Sequence, residues 1–399
     1  MMYLFKNRSI GFIWAILLLA PALQAQNSPN HLAHHTMDGF RNPWPGYEDR
    51  GFMDLLKWGV WERFTSDKPE KKDHYDFPFI YNDGAYLREN QSDFTVTWIG
   101  HSSLLVQMDG INILTDPIWS ERCSPFQWIG PKRHQPPGLA FEDLPPIDLV
   151  IISHDHYDHL DKNTIKSLGN DPFYLVPLGI GQFLKDQGIT RYQEMDWWDS
   201  LTFNSLEIIC TPAQHFSGRK GIDRNRTLWA SWVIKSEQES FYFGGDTGYF
   251  PEFVTIAERY GPFDAAALPI GAYQPRWFMS PVHMSPQEAV DAFLDLNARI
   301  FVPIHWGTFS LADEPLDNPP QVLQNTIDER ELDSDRFWIL KHGETRRVEE
   351  SPVFAGQDLE PGLSEKFESR REDREINQKS ENIVGSGNKG SSCQGRVDF

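Results

Sequence analysis

Val150-Ile151-Ile152-Ser153-His154-Asp155-His156-Tyr157-Asp158-His159-Leu160-Asp161 is the stretch on which the fold of this chain turns. The apolar run from Leu149 to Ile152 has the length and composition of a buried strand. Ser153 ends it, and His154, His156, Asp158 and His159 then fall within six positions. Side chains alternate in extended backbone, so His154 and His156 point to one side and can share a cation at the strand end. A turn into a helix would let Asp158 and His159 face a second cation beside the first. Imidazole nitrogens and carboxylate oxygens suit Zn2+, and both are available unprotonated near neutral pH. A histidine-rich polar loop is the plain alternative. Four ligand types packed this tightly behind a buried strand weigh against it.

With 399 residues, 40% apolar and 13% aromatic, the chain has ample material for a folded core. Its formal charge of −20 argues against nucleic acid as a partner, since binding a phosphate backbone needs a basic footprint. It also argues against simple electrostatic docking on an anionic membrane. Near the N-terminus, Lys6 and Arg8 precede an apolar stretch from Ile10 to Ala20, followed by Pro21 and small residues up to Ala25. Residues 1–25 therefore read as a signal peptide, and the protein is expected to be exported, to the periplasm if its source is bacterial. An uncleaved anchor is the alternative, but the stretch is short for a span of about 20 residues.

Residues 26–41 are expected to form a mobile mature N-terminus, in which His31, His34 and His35 are more readily solvated than metal-bound. A hydrolase domain is expected over 42–348 and a disordered polar tail over 349–399. Cys123, Cys210 and Cys393 are the only cysteines and form no metal-binding cluster. A Cys123–Cys210 bridge is open to the chain but nothing in the sequence supports it.

From Phe52 to Trp61 a helical pattern shows a wide apolar face, suited to covering the core or resting at a lipid interface. Strands are expected over 94–99, 103–108 and 111–115, with Asp109-Gly110 as the hairpin turn between the last two. Lys132, Arg133 and His134 lie in a proline-rich loop and suit either a phosphate or solvent. Beyond the central motif, helices are expected over 162–168, 178–187 and 286–296. Strands are expected over 173–177, 206–211, 228–235, 241–245, 265–269 and 299–304. Strands alternating with helices make this an α/β protein.

Three of these strands deliver a further ligand type at their downstream end: His215 after L-E-I-I-C-T-P-A-Q, Asp246 after F-Y-F-G-G, and His305 after R-I-F-V-P-I. The order H-x-H-x-D-H, His, Asp, His resembles the metallo-β-lactamase superfamily. Further runs sharpen the resemblance: N-P-W-P from Asn42, W-I-G-H from Trp98, L-T-D-P from Leu114 and G-P-K-R from Gly130. Downstream come D-W-W from Asp196, G-D-T-G-Y from Gly245, P-I-G-A-Y from Pro269, R-W-F-M from Arg276 and H-W-G-T-F from His305. With these, the chain is similar to the phospholipases D that hydrolyse N-acyl-phosphatidylethanolamine, over about residues 42–346.

The resemblance implies a four-layer αβ/βα metallo-β-lactamase sandwich with two Zn2+ per subunit. By position, His154, His156 and His215 would hold one ion. Asp158, His159 and His305 would hold the other, and Asp246 would bridge both. Asp158, Asp246 and His283 are the implied catalytic residues, with Tyr157 and His283 facing the substrate; His101 and Asp116 would orient ligands. The implied reaction is cleavage of a phospholipid, at a membrane surface, to an N-acylethanolamine and phosphatidic acid, and a homodimer is the family's habit. Two other functions are open to the same site: a lactonase or β-lactamase-like hydrolase, and a non-catalytic zinc-stabilised membrane-associated module. The complete set of ligands speaks against the last.

Overall fold

The computed structural model describes residues 33–45, 47–58, 69–72 and 74–349. The expected signal peptide and all but the first residue of the expected tail lie outside the described residues. Two sheets organise the rest. The first has seven strands: β1 (Thr95–Gly100), β2 (Ser103–Met108), β3 (Ile111–Thr115), β4 (Leu149–Ile151), β5 (Phe173–Pro177), β6 (Tyr192–Met195) and β13 (Thr345–Arg347). Their order is β13-β1-β2-β3-β4-β5-β6, antiparallel as far as β3 and parallel from there to β6. The second contains β7 (Ser200–Phe203), β8 (Leu206–Thr211), β9 (Ser231–Lys235), β10 (Ser240–Phe243), β11 (Phe263–Pro269) and β12 (Ala298–Ile304). It is ordered β12-β11-β10-β9-β8-β7, with β10, β11 and β12 parallel.

The pleat of the first sheet explains how it is covered on both sides. Leu104, Val106, Ile113, Leu149, Ile151 and Leu175 belong to one core together with Ile208, Trp232, Phe241 and Phe243 of the second sheet. Their alternate neighbours Leu105, Leu114, Val150, Tyr174 and Val176 pack instead with Ile165, Leu168, Ile180 and Leu184. Those four come from the helices Lys162–Leu168 and Gly181–Asp186, which cover the outer face, apart from Ile180, the cap of the second. Adjacent residues thus face opposite layers, as the two-residue period requires. The helix Pro286–Asp295 lays Ala289, Val290 and Phe293 on the other side of the molecule, against β11 and β12. The result is the expected α/β sandwich of layers.

Most expected elements lie within two or three residues of their places, and the Asp109-Gly110 turn has both residues at positive φ, 49° and 71°. The helix expected from Phe52 is present as Phe52–Leu56, and residues 59–61 of the expected stretch lie outside the described residues. One expectation needs correcting. Residues 33–41 are not a free arm: His35 bridges to Phe40, Phe40 N–H donates to Asn225 O, and His34 is buried. Cys123 and Cys210 are both free thiols, buried in different cores, so no bridge joins them.

Candidate metal centre

The ligand-type residues leave both sheets at the same edge. After β4 the chain leaves the strand ladder through Ser153, whose carbonyl accepts from Ala230 N–H, then His154 and Asp155, and turns, with His159 and Leu160 N–H both reaching His156 O. A turn, not the expected helix, therefore presents Asp158 and His159. The helix begins only at Lys162, where Asp161 caps it by accepting from Asn163 and Thr164 N–H. From the second sheet, β8 leads to His215, β10 to Asp246 and β12 to His305.

Close packing at this edge depends on glycine. Gly245 has φ 56°, and a Cβ there would lie 2.4 Å from Ser153 Cβ. At Gly271 a Cβ would lie 2.0 Å from His305 O. His101, Asp116 and His305 take positive φ of 55°, 34° and 61°, a conformation that L-residues hold only where the surroundings enforce it.

Two groups of ligand atoms result. In one, His156 Nδ1 lies 2.7 Å from His154 Nε2 and 3.3 Å from His215 Nε2. In the other, His159 Nε2 and His305 Nε2 each lie 3.3 Å from Asp158 Oδ2. Asp246 Oδ2 reaches both: it is 3.1 Å from His159 and His305, and 3.9 and 3.8 Å from His154 and His215. All seven expected ligands are thus brought together. The side open to solvent is marked by His156, Tyr157 and Asp158, which are only half-buried.

The outer atoms of these rings are fixed by other partners, which decides which nitrogen faces inward. Ser153 Oγ lies 2.9 Å from His154 Nδ1, Asp116 Oδ2 lies 2.6 Å from His159 Nδ1, and Val282 O lies 2.9 Å from His215 Nδ1. Asp116 also accepts from Ser153 N–H and Oγ–H, so one carboxylate braces both ends of the turn. His101 Nε2 lies 2.8 Å from Asp158 Oδ2. The orienting roles expected of His101 and Asp116 agree with this geometry.

Burial drives His154 and His215 well below the ordinary imidazole pKa, so they offer lone pairs. Burial also opposes charge at His159 and His305, yet Asp246 and Asp158 outweigh it. His159 is held well above the usual value and His305 at about 9. Both carboxylates are held well below their usual range despite burial, chiefly by His159. Protons on His159 and His305 here balance two buried carboxylates, the task a cation would perform. His159 Nε2 and Asp246 Oδ1 are buried without an aligned hydrogen-bond partner. The donor set and these orphaned atoms fit a metal ion.

His283 stands beside the centre, its ring 5.1 Å from that of His215 and 5.3 Å from that of His305. Its Nδ1 is buried without a partner, and burial pushes its pKa down to about 4. Tyr157 is differently engaged. Its hydroxyl donates to Arg219 O at 2.9 Å, so the polar end expected to meet substrate is already committed. Arg133 serves structure, donating to Ile118 O at 2.7 Å.

Sequence reasoning missed Arg219, whose Nη1 donates to the carbonyls of Asp155 at 2.6 Å and Leu160 at 2.9 Å, while its guanidinium lies 4.0 Å from the Tyr157 ring centre. It ties the His154–Asp161 turn to the loop after His215. No local pattern marks it, because its partners are backbone oxygens. Asn42 was noticed only as part of N-P-W-P; its Nδ2 donates to His215 O at 2.7 Å.

Fold and centre together define a metal-dependent hydrolase. The family described as "Beta-lactamase superfamily domain" matches residues 111–306. An uncharacterised protein of Mycobacterium tuberculosis is 44% identical over 283 residues, covering 69% of this chain and 73% of that protein. The N-acyl-phosphatidylethanolamine-hydrolyzing phospholipase D 1 of Caenorhabditis elegans is 39% identical over 327 residues, covering 76% of this chain and 91% of the worm protein. Among solved structures, a metallo hydrolase from the archaeon Ignicoccus hospitalis shares the fold: the TM-score is 0.51 at 24% identity, over 65% of this chain and 100% of that one. The chain belongs to the metallo-β-lactamase superfamily.

Proposed function

We propose that this protein is a dinuclear zinc phosphodiesterase of phospholipase D type that hydrolyses N-acyl-phosphatidylethanolamine or a related phospholipid. The observation that carries this reading is the likeness to the worm phospholipase over nearly all of that protein, joined to a complete double ligand set. His154, His156 and His215 would hold one zinc and Asp158, His159 and His305 the other, with Asp246 serving both. The cations supply Lewis-acid polarisation of the phosphoryl group and a lowered pKa for water.

The chain's own residues do the rest. Asp116 and Ser153 hold the imidazoles in register, and Arg219 keeps the ligand turn against its neighbouring loop. His283, neutral and unpartnered at Nδ1, is placed to share a proton with the leaving-group oxygen.

Two exposed apolar stretches suit a lipid surface. Trp58, which follows the helix Phe52–Leu56, packs with Phe278 and Leu311, and the helix exposes Met53, Leu55 and Leu56. The loop from Cys123, packed with Tyr157 and Leu311, exposes Phe126, Trp128 and Ile129. Trp and Phe at such tips partition into the headgroup region.

The test is mass spectrometry of products from a defined phospholipid panel, run beside metal analysis of the same sample. Release of N-acylethanolamine and phosphatidic acid is expected. Cleavage of a cephalosporin or lactone with no phospholipid turnover would overturn the proposal in favour of an acyl hydrolase.

A further inference from the structure

Outside the catalytic centre, the described residues bring together one more group of side chains with metal-binding chemistry, His34, His35 and Asp196. His34 Nε2 lies 2.7 Å from Asp196 Oδ1, and His35 Nε2 lies 2.7 Å from Asp196 Oδ2. Neighbouring residues in extended chain point apart, so their convergence is imposed by the local turn. Thr36 N–H donates to Gly39 O and Arg41 N–H to His34 O, closing a small loop. Gly39 lets that loop sit against Asn225, where a Cβ would lie 2.1 Å from the carbonyl oxygen.

The carboxylate is equally constrained. Asp196 N–H donates to Asp199 Oδ2, and Asp196 Oδ1 also accepts from Trp197 N–H. His34 is buried against the Trp197 ring, with centroids 4.2 Å apart. His35 keeps 34% of its side chain exposed, which leaves one side open to water. Two imidazoles, one carboxylate and a water make the donor set of a four-coordinate transition-metal site.

We propose that His34, His35 and Asp196 form a divalent transition-metal clamp, distinct from the catalytic pair, that staples the segment 33–42 to the end of β6. The consequence reaches the centre through Asn42, at the end of the stapled segment, which donates to the backbone oxygen of the ligand His215. Trp44 follows and stacks on Trp197, centroids 5.8 Å apart, extending the same attachment.

The competing account is a pair of histidines donating Nε2–H to a carboxylate, which needs no metal. Full-length, untagged protein is stripped with chelator, dialysed against buffered micromolar free Zn2+, and its metal content measured by mass spectrometry. His34→Gln/His35→Gln and Asp196→Asn, the latter keeping shape and an acceptor, are treated alike. The wild type is expected to hold one equivalent more than either variant, each verified as folded by circular dichroism. Loading with Co2+ should lose one set of visible absorption bands in the variants. Equal metal content in wild type and a folded variant overturns the clamp. His35→Gln alone, altering a partly exposed ring, is the control that keeps the comparison available if the double variant fails to fold. Because the segment reaches the centre through Asn42, turnover is measured on the same samples: an equivalent lost with turnover retained belongs to the clamp, whereas a loss found only together with lost turnover belongs to the centre and overturns the clamp.

Discussion

His156 and Asp246 show what a single residue contributes here. His156 supplies the nitrogen common to the 2.7 and 3.3 Å separations of the first ligand group, and Asp246 alone lies between both groups. Replacing either by alanine is expected to cut turnover at least about a hundredfold while leaving the circular dichroism spectrum unchanged. Turnover equal to wild type would contradict the assignment.

A different residue reports on acid stability. His342 is fully buried among Trp98, Phe77 and Trp306, and burial pulls its pKa from 6.5 to about 3. The unfolded chain therefore takes up this proton before the folded one. Its share of stability is complete above pH 6.5 and is lost as pH falls from there towards 3. Thermal melts of His342→Phe against wild type should show a shallower decline of Tm over that interval. Parallel declines would mean that other groups set the acid limit.

At the scale of elements, the close contact of two strand ends is the sensitive point. β12 delivers His305 beside Gly271, with room for no additional methyl group. Gly271→Ala is expected to cost about 1–3 kcal/mol by overpacking and to displace His305, read as a lower denaturant midpoint together with reduced turnover. The elements that escaped sequence reading follow a physical pattern. β6 and β7 are edge strands with mixed polar sequences, Tyr192–Met195 and Ser200–Phe203, and β13 is three residues ending in two arginines. All three are partly exposed, so they lack the apolar run that identified β4, whereas β12, an edge strand that is buried, keeps one. The amphipathic helix Asn318–Glu329 had no counterpart among the expected elements; its Pro319 and Pro320 stand in the first turn, where proline is tolerated.

For the molecule as a whole, a cation held by these side chains would also be a cross-link. Four of the candidate ligands come from the turn after β4 in one sheet and three from strand ends of the other, so a bound cation would tie the sheets together at one edge. Metal present at a hundred times its Kd contributes about 2.7 kcal/mol. Chelation should therefore lower Tm by several degrees, and Zn2+ should restore it. An unchanged Tm in a demonstrably metal-free sample would show that the sheets do not depend on this edge.

The identity of the ligands and their delivery at strand ends were legible in the sequence alone, because alternation along a strand and the chemistry of His and Asp are local properties. The partition of ligands into two groups and the reach of Asp246 across both came only with the family resemblance, while the bracing by Arg219 and Asn42 and the docking of residues 33–41 were decided only by tertiary structure. Each depends on distances between segments far apart in the chain, which the packing of one sheet on the other sets and no local pattern encodes.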